Sequence, residues 1–226
     1  MTSGAAPAGT PRPSLRGLFV AGTDTDVGKT VVSAWLVRAL DGDYWKPVQA
    51  GLDGDTDADT VRTLSGLPAE RIHESTYRLK AALSPHEAAR REGIVIDLAR
   101  LRPPPTTRTL IVEGAGGLLV PLNAEALMID LIARLGLPVV LVARSTLGTI
   151  NHTLLSLEAL RARGLALEGV VLNGPPNEGN RRAIGHFGRV PVLAELPRFE
   201  PLDPAAIREA ARRIVPGAAS AAGVAT

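Results

Sequence analysis

A chain of 226 residues holds one α/β domain with a full hydrophobic core and is short for two. With 25 basic and 23 acidic residues its formal charge is only +2, and no Lys/Arg run marks a nucleic-acid surface. Cysteine is absent, which excludes disulfides, thiolate metal sites and cysteine nucleophiles together.

Residues 1–15 are small and polar and lack the apolar stretch of a signal peptide, so they read as a flexible leader. Leu18–Ala21 is a strand candidate running into a Gly-rich loop, Gly22–Thr30, and Lys29–Leu40 has the pattern of a helix. Further strands are expected at Tyr44–Val48, Thr109–Val112, Pro138–Ala143, Gly169–Leu172 and Val190–Leu193. Helices are expected at Asp57–Leu64, Ala124–Leu135, Thr149–Arg163 and Gly179–Phe187, and Arg102–Thr107 is a connection. Residues 216–226 read as a flexible tail, leaving 16–215 as a single ATP-binding domain. Continuous apolar strands alternating with helices predict a three-layer α/β fold of the P-loop NTPase kind, a mostly parallel sheet flanked by helices. Binding sites in such sheets lie at the carboxyl ends of the strands. The apolar runs are too short to span a membrane, so a soluble, cytoplasmic protein is expected, with no nucleic-acid or membrane partner.

Gly22–Thr30 follows a strand and opens a helix, the context in which backbone N–H groups cradle an anion. Lys29 is placed to reach β- and γ-phosphates and the Thr30 hydroxyl to bind Mg²⁺. Five residues separate Gly22 from Gly28, where the common pattern has four, which points to a variant subclass. A strand ending in Glu113, followed by Gly114, Ala115, Gly116 and Gly117, puts an acid where a Mg-nucleotide site needs one. The alternative is a glutamate capping a helix. Asp53, Asp55, Asp57 and Asp59 form an alternating acidic run, any of which could supply a second carboxylate; a solvated loop is the competing reading. Only three lysines occur, Lys29, Lys46 and Lys80, against 22 arginines, so Lys46 at a strand end is a candidate for a role arginine cannot fill. Lys80 reads as surface. The four histidines show no metal-ligand spacing.

Taken together, Gly22–Thr30, Lys46–Gly51, Ser84–Ala89, Val112–Gly117 and Leu147–His152 resemble the ATP-dependent dethiobiotin synthetases, over about residues 17–200. The resemblance implies closure of the ureido ring of dethiobiotin from 7,8-diaminopelargonate, CO₂ and ATP, with Mg²⁺, through a carbamate and a carbamic–phosphoric anhydride. It implies Lys46 and Lys29 as catalytic lysines and Thr30, Asp57 and Glu113 as Mg²⁺ ligands. Nucleotide contacts would come from Asp26, Val27, Gly28, Lys29, Thr30, Val31, Gly114, Ala115 and Gly116, with Asn173 and Gly174 reading the base and Leu196, Pro197 and Arg198 flanking it. Substrate contacts would come from Thr25, Lys46, Ala50 and Gly117, and from Leu147, Gly148, Ile150 and Asn151 at a helix start across a homodimer. Ala50 departs from the Ser or Thr common in the family. A cobyrinate-type amidoligase is disfavoured by the missing glutaminase cysteine. A partition-type switch ATPase is disfavoured by Asp24 and Thr25 standing where those proteins carry a second lysine.

Overall fold

The computed structural model describes residues 16–212; the expected leader, the expected tail and residues 213–215 lie outside the described residues. In chain order the elements are β1 (Gly17–Gly22), α1 (Lys29–Ala39), β2 (Asp43–Trp45), β3 (Val48–Ala50), α2 (Asp57–Ser65), β4 (Ile72–His73) and β5 (Tyr77–Leu79). There follow α3 (Pro85–Arg91), β6 (Leu110–Gly117), α4 (Met128–Leu135), β7 (Val139–Arg144), α5 (Thr149–Ala162), β8 (Leu167–Asn173), α6 (Glu178–Gly188), β9 (Val192–Leu196) and α7 (Pro204–Ala211).

Seven strands form a fully parallel sheet in the order β4-β2-β6-β1-β7-β8-β9. Side chains alternate across each strand, so the sheet separates two apolar layers. From β1, Phe19 and Ala21 join Ile129, Ile132 and Leu157 on one face, while Leu18 and Val20 join Trp35, Val61 and Ile207 on the other. The central strands are apolar on both faces, as a sheet covered on both sides requires. Each fully buried Leu, Ile, Val or Phe contributes roughly 1.5–3 kcal/mol.

Several boundaries differ from the sequence expectation, each for a local reason. Tyr44–Val48 is not one strand: β2 stops at Trp45 and β3 starts at Val48 in a separate two-stranded sheet with β5. Pro47 has no N–H to continue the ladder, and its carbonyl instead accepts the Tyr77 N–H at 3.1 Å. β6 does not end at Glu113; it continues four small residues further, to Gly117, which stands in register with Gly22. α4 begins at Met128, because Asn123 Oδ1 accepts the N–H groups of Glu125 and Ala126, both at 2.8 Å, and folds that stretch into a turn. The last strand lies two residues later than expected, at Val192–Leu196. β4, β5, α3 and α7 complete the fold and were not among the expected elements.

Candidate active site

β1 delivers Gly22–Thr30 to the carboxyl end of the sheet. The loop turns through Asp26 at φ 55° and Gly28 at φ 94°, and Gly28 caps α1 without any side-chain acceptor, which leaves the first N–H groups of α1 open to an anion. Behind it, Asn173 at the end of β8 donates from Nδ2 to the Val27 carbonyl at 3.1 Å. In front, Arg144 at the end of β7 pairs with Asp24 at 2.9 Å. Lys29 Nζ donates to the Asp24 carbonyl at 2.9 Å.

A cavity of about 740 Å³ opens over this loop. Its walls are Thr25, Asp26, Gly28, Lys29 and Thr30 from the loop, Lys46 and Ala50 around β3, Asp57, Glu113, Ala115 and Gly116, and Ala82–Pro85 with Val120. At its floor four side chains interlock. The Thr30 hydroxyl lies 2.5 Å from Asp57 Oδ1 and 3.1 Å from Glu113 Oε1. Lys46 Nζ lies 2.9 Å from both Asp57 Oδ2 and Glu113 Oε1. The Tyr44 hydroxyl donates to the remaining oxygen, Glu113 Oε2, at 3.0 Å.

Burial sets the electrostatics of this cluster. The Glu113 side chain is fully enclosed and that of Lys46 is 6% exposed, whereas Asp57 keeps 31% at the cavity wall. Burial alone would lower the Lys46 pKa, but the Glu113 and Asp57 carboxylates prevail and hold it above the usual lysine value. Burial likewise opposes ionisation of Asp57, yet the Lys46 charge and the Thr30 hydroxyl hold it below the usual carboxylate range. For Lys29 the balance tips the other way. Burial and the Lys46 charge lower its pKa against the pull of Glu113, Asp57 and Asp26. Burial and the Glu113 charge push Tyr44 well above the usual phenol value, so it stays a donor.

Hard oxygen donors converging from one hydroxyl and two carboxylates fit a Mg²⁺ ion that keeps waters and phosphate oxygens as its other ligands. Among the described residues no group of three or more His, Cys, Asp or Glu that could hold a metal gathers, at this floor or elsewhere. Of the four acids in the alternating run, Asp57 alone joins this floor. Asp53 and Asp55 are exposed, and Asp59 Oδ2 accepts the Thr56 N–H and hydroxyl at 3.1 and 2.7 Å, closing a capping box that starts α2 beside Asp57.

The chain matches the AAA domain family over residues 16–206. It is 62% identical over 182 residues to the ATP-dependent dethiobiotin synthetase BioD of Paramagnetospirillum magneticum, covering 80% of this chain and 88% of that one. It is 55% identical to the BioD of Rhizorhabdus wittichii, covering 83% and 90%. This chain belongs to the ATP-dependent dethiobiotin synthetase family. It is also 58% identical to the biotin biosynthesis bifunctional protein BioCD of Bordetella avium over 85% of this chain, and spans 42% of that protein's length. Among solved structures, a ParA family ATPase from Chlorobium tepidum (TM-score 0.53, covering 93% of this chain and 98% of that one) and the Cyanothece McdA–ATP complex (0.51, 94% and 98%) share the fold, each at 12% identity.

The other residues that the family resemblance implied are placed as follows. Val27 is buried under the loop and Val31 packs against the α1 side of the core. Gly114 lies against Phe19, with no room for a Cβ beyond 2.9 Å. Asn173 adjoins the loop on the side away from Lys46, while Gly174 lies against Ser145 and donates its N–H to the Leu196 carbonyl at 2.8 Å. Leu196 and Pro197 line a separate pocket of about 550 Å³ with Trp35 and Phe199, while Arg198 is exposed and paired with Glu200 at 3.2 Å. Gly117 faces away from the main cavity into a groove of about 480 Å³ shared with His152 and Leu155 of α5. Leu147, Gly148, Ile150 and Asn151 open α5 on that side and do not line the main cavity; Leu147 is fully exposed. Lys80 is exposed, as expected. Two contributors were absent from the sequence reading. Arg144 carried no motif. Tyr44 did carry a signal: it precedes Lys46 by two residues, the strand spacing that puts both on one side.

Proposed function

We propose that this chain is an ATP-dependent dethiobiotin synthetase, closing the ureido ring of dethiobiotin from 7,8-diaminopelargonate, CO₂ and ATP with release of ADP and phosphate. The observation that carries the proposal is the cavity floor: Lys46 bridges two carboxylates that also meet at the Thr30 hydroxyl, beside Lys29 and a loop with open N–H groups.

An amine of the substrate takes up CO₂ and loses a proton, becoming a carbamate. A carbamate oxygen attacks the γ-phosphorus, and the bond to the β,γ-bridging oxygen breaks as ADP departs. The second amine then attacks the carbamoyl carbon, and phosphate leaves with the former carbamate oxygen as the ring closes. Two anions must meet in the first phosphorus step, so the site's contribution is positive charge held in place. Lys29 and the loop N–H groups bind the β- and γ-phosphates. Lys46, kept protonated by its two carboxylates, faces both the γ-phosphate and the carbamate. Thr30, Asp57 and Glu113 would hold Mg²⁺, which would supply further charge neutralisation at the phosphate oxygens. Asp26, Val27, Val31, Gly114, Ala115 and Gly116 line the nucleotide, Asn173 and Gly174 meet the base, and Leu196, Pro197 and Arg198 flank it. Thr25 and Ala50 line the diamine path, where Ala50 offers no hydroxyl, and Gly117 meets the substrate from the groove beside α5.

The working unit is a homodimer in the cytoplasm, with the α5 start of one copy holding the substrate carboxylate of the other. Supporting this are the αL Gly148 cap, which leaves that helix start without a side-chain acceptor, and the exposed Leu147, Leu119 and Leu155 on the same side. Among the described residues no helix is long and apolar enough to cross a membrane.

Purified protein given diaminopelargonate, bicarbonate and Mg-ATP is expected to release phosphate only when the diamine is present. Diamine-independent hydrolysis, or hydrolysis stimulated by DNA, would sink the proposal.

A further inference from the structure

The Glu113 carboxylate is held on two sides by chemically different partners. Oε1 faces the cavity floor, 2.9 Å from Lys46 Nζ and 3.1 Å from the Thr30 hydroxyl. Oε2 faces the protein interior, where among the described residues only the Tyr44 hydroxyl reaches it, at 3.0 Å. Both Tyr44 and the Glu113 side chain are completely enclosed. The two sit on adjacent paired strands, with Tyr44 opposite Ile111 and Trp45 opposite Val112, so the sheet itself fixes where the phenol stands relative to the carboxylate.

The terminal torsion of a glutamate is broad and soft. Without a donor at Oε2, that oxygen would be a buried, unpaired acceptor, which is costly. The carboxylate would relieve it by pivoting to share both oxygens with the Lys46 ammonium, turning Oε1 away from Thr30 and Asp57. We infer that Tyr44 is a positioning residue for the metal site, holding Glu113 so that Oε1 faces Thr30, Asp57 and the cavity. The inference rests on Glu113 and Asp57 being the Mg²⁺ ligands. It concerns a residue that touches neither nucleotide nor diamine and whose hydroxyl serves one carboxylate.

Tyr44→Phe removes the hydroxyl and keeps the ring that packs against Val20 and Ile111 in the same apolar layer. ADP binding is measured calorimetrically with Mg²⁺ titrated in, and again with the metal chelated. Removing the outer partner of a metal ligand typically costs 10- to 100-fold in metal affinity. The variant should therefore need about tenfold more Mg²⁺ to reach its tight ADP affinity. Its affinity without metal should match wild type. An unchanged Mg²⁺ requirement accompanied only by a lower unfolding midpoint would overturn the inference and leave Tyr44 a structural tyrosine.

A second readout needs no substitution. The chain has two tyrosines, Tyr44 and Tyr77. With both replaced by 3-fluorotyrosine, the Tyr44 ¹⁹F resonance should shift when Mg²⁺ joins ADP and stay put with ADP alone; no Mg²⁺-dependent shift would also overturn the inference. Wild-type protein whose ADP affinity ignores Mg²⁺ would remove the metal reading and this inference together. Wild-type protein that binds Mg-ADP, with the predicted Tyr44→Phe shift, but shows no diamine-dependent phosphate release would refute the proposed reaction and leave the inference standing.

Discussion

Lys46→Arg should leave nucleotide binding within about threefold and lower diamine-dependent turnover by about 10²- to 10³-fold, the loss that follows removal of one preorganised transition-state donor. Lys46 is nearly enclosed, and a single ammonium satisfies Asp57 Oδ2 and Glu113 Oε1, each at 2.9 Å. A guanidinium is planar, longer and wider, and its fork cannot replace a compact point charge between two carboxylates that also meet Thr30. Nucleotide binding survives because the Gly22–Thr30 loop and Lys29 are supported independently, through Asp24, Asn173 and Arg144. Removing the charge altogether is a harsher change. Lys46→Met strands the fully enclosed Glu113 carboxylate, a loss of roughly 3–5 kcal/mol for a broken buried pair, visible as a lower urea midpoint. Stopped-flow phosphate detection together with ADP calorimetry separates the two effects. Turnover by Lys46→Arg close to wild type would reduce Lys46 to a structural lysine.

Gly28→Ala should weaken ADP binding by about 10- to 100-fold. Two independent penalties act at this position. Its φ of 94° belongs to the left-handed side of the map, where a side chain costs on the order of 1–3 kcal/mol. An added Cβ would also run into Asn173 Nδ2 and stand 2.8 Å from its Cγ, so the loop or Asn173 must move, and with either the hydrogen bond to the Val27 carbonyl. Each factor of ten in affinity corresponds to about 1.4 kcal/mol. Adding Asn173→Ala relieves the clash and leaves the backbone penalty, so the double variant should recover part of the affinity lost by Gly28→Ala. A double-mutant cycle reads that coupling directly. Additive effects would show that Gly28 and Asn173 do not meet as described.

The phosphate loop and the central strands were legible because their signals are local. Strand, Gly-rich turn and helix follow one another within Gly17–Ala39, and apolar runs bury both faces of one sheet. The small β3–β5 sheet was not legible: it consists of three-residue strands paired across a gap in sequence, Val48 with Tyr77, and no periodicity announces so short a run. α7 carried an overlooked signal, Asp203 capping the Ala206 N–H with Pro204 at the first helical position. At the site, residue types identified Lys29, Lys46 and Glu113, but residue type alone made no choice among the four alternating acids; the family resemblance implied Asp57, and the fold puts that acid beside Thr30. Asp59 shows why composition misleads there, since its carboxylate is spent on the helix cap. Leu196 and Pro197 border a second pocket, and the start of α5 does not line the main cavity, so nothing local ties these residues to the phosphate loop.

The central claim is that the cavity floor brings a carbamate oxygen, and not water, to the γ-phosphorus. One measurement tests it: a rapid-quench single turnover begun with ¹⁸O-labelled CO₂, diaminopelargonate and Mg-ATP, with the released phosphate analysed by mass spectrometry. Because phosphate departs with the carbamate oxygen that attacked it, each phosphate formed before the label exchanges with solvent should carry one oxygen from CO₂. Phosphate whose new oxygen comes from the solvent would mean that the site hydrolyses ATP, and would contradict the account.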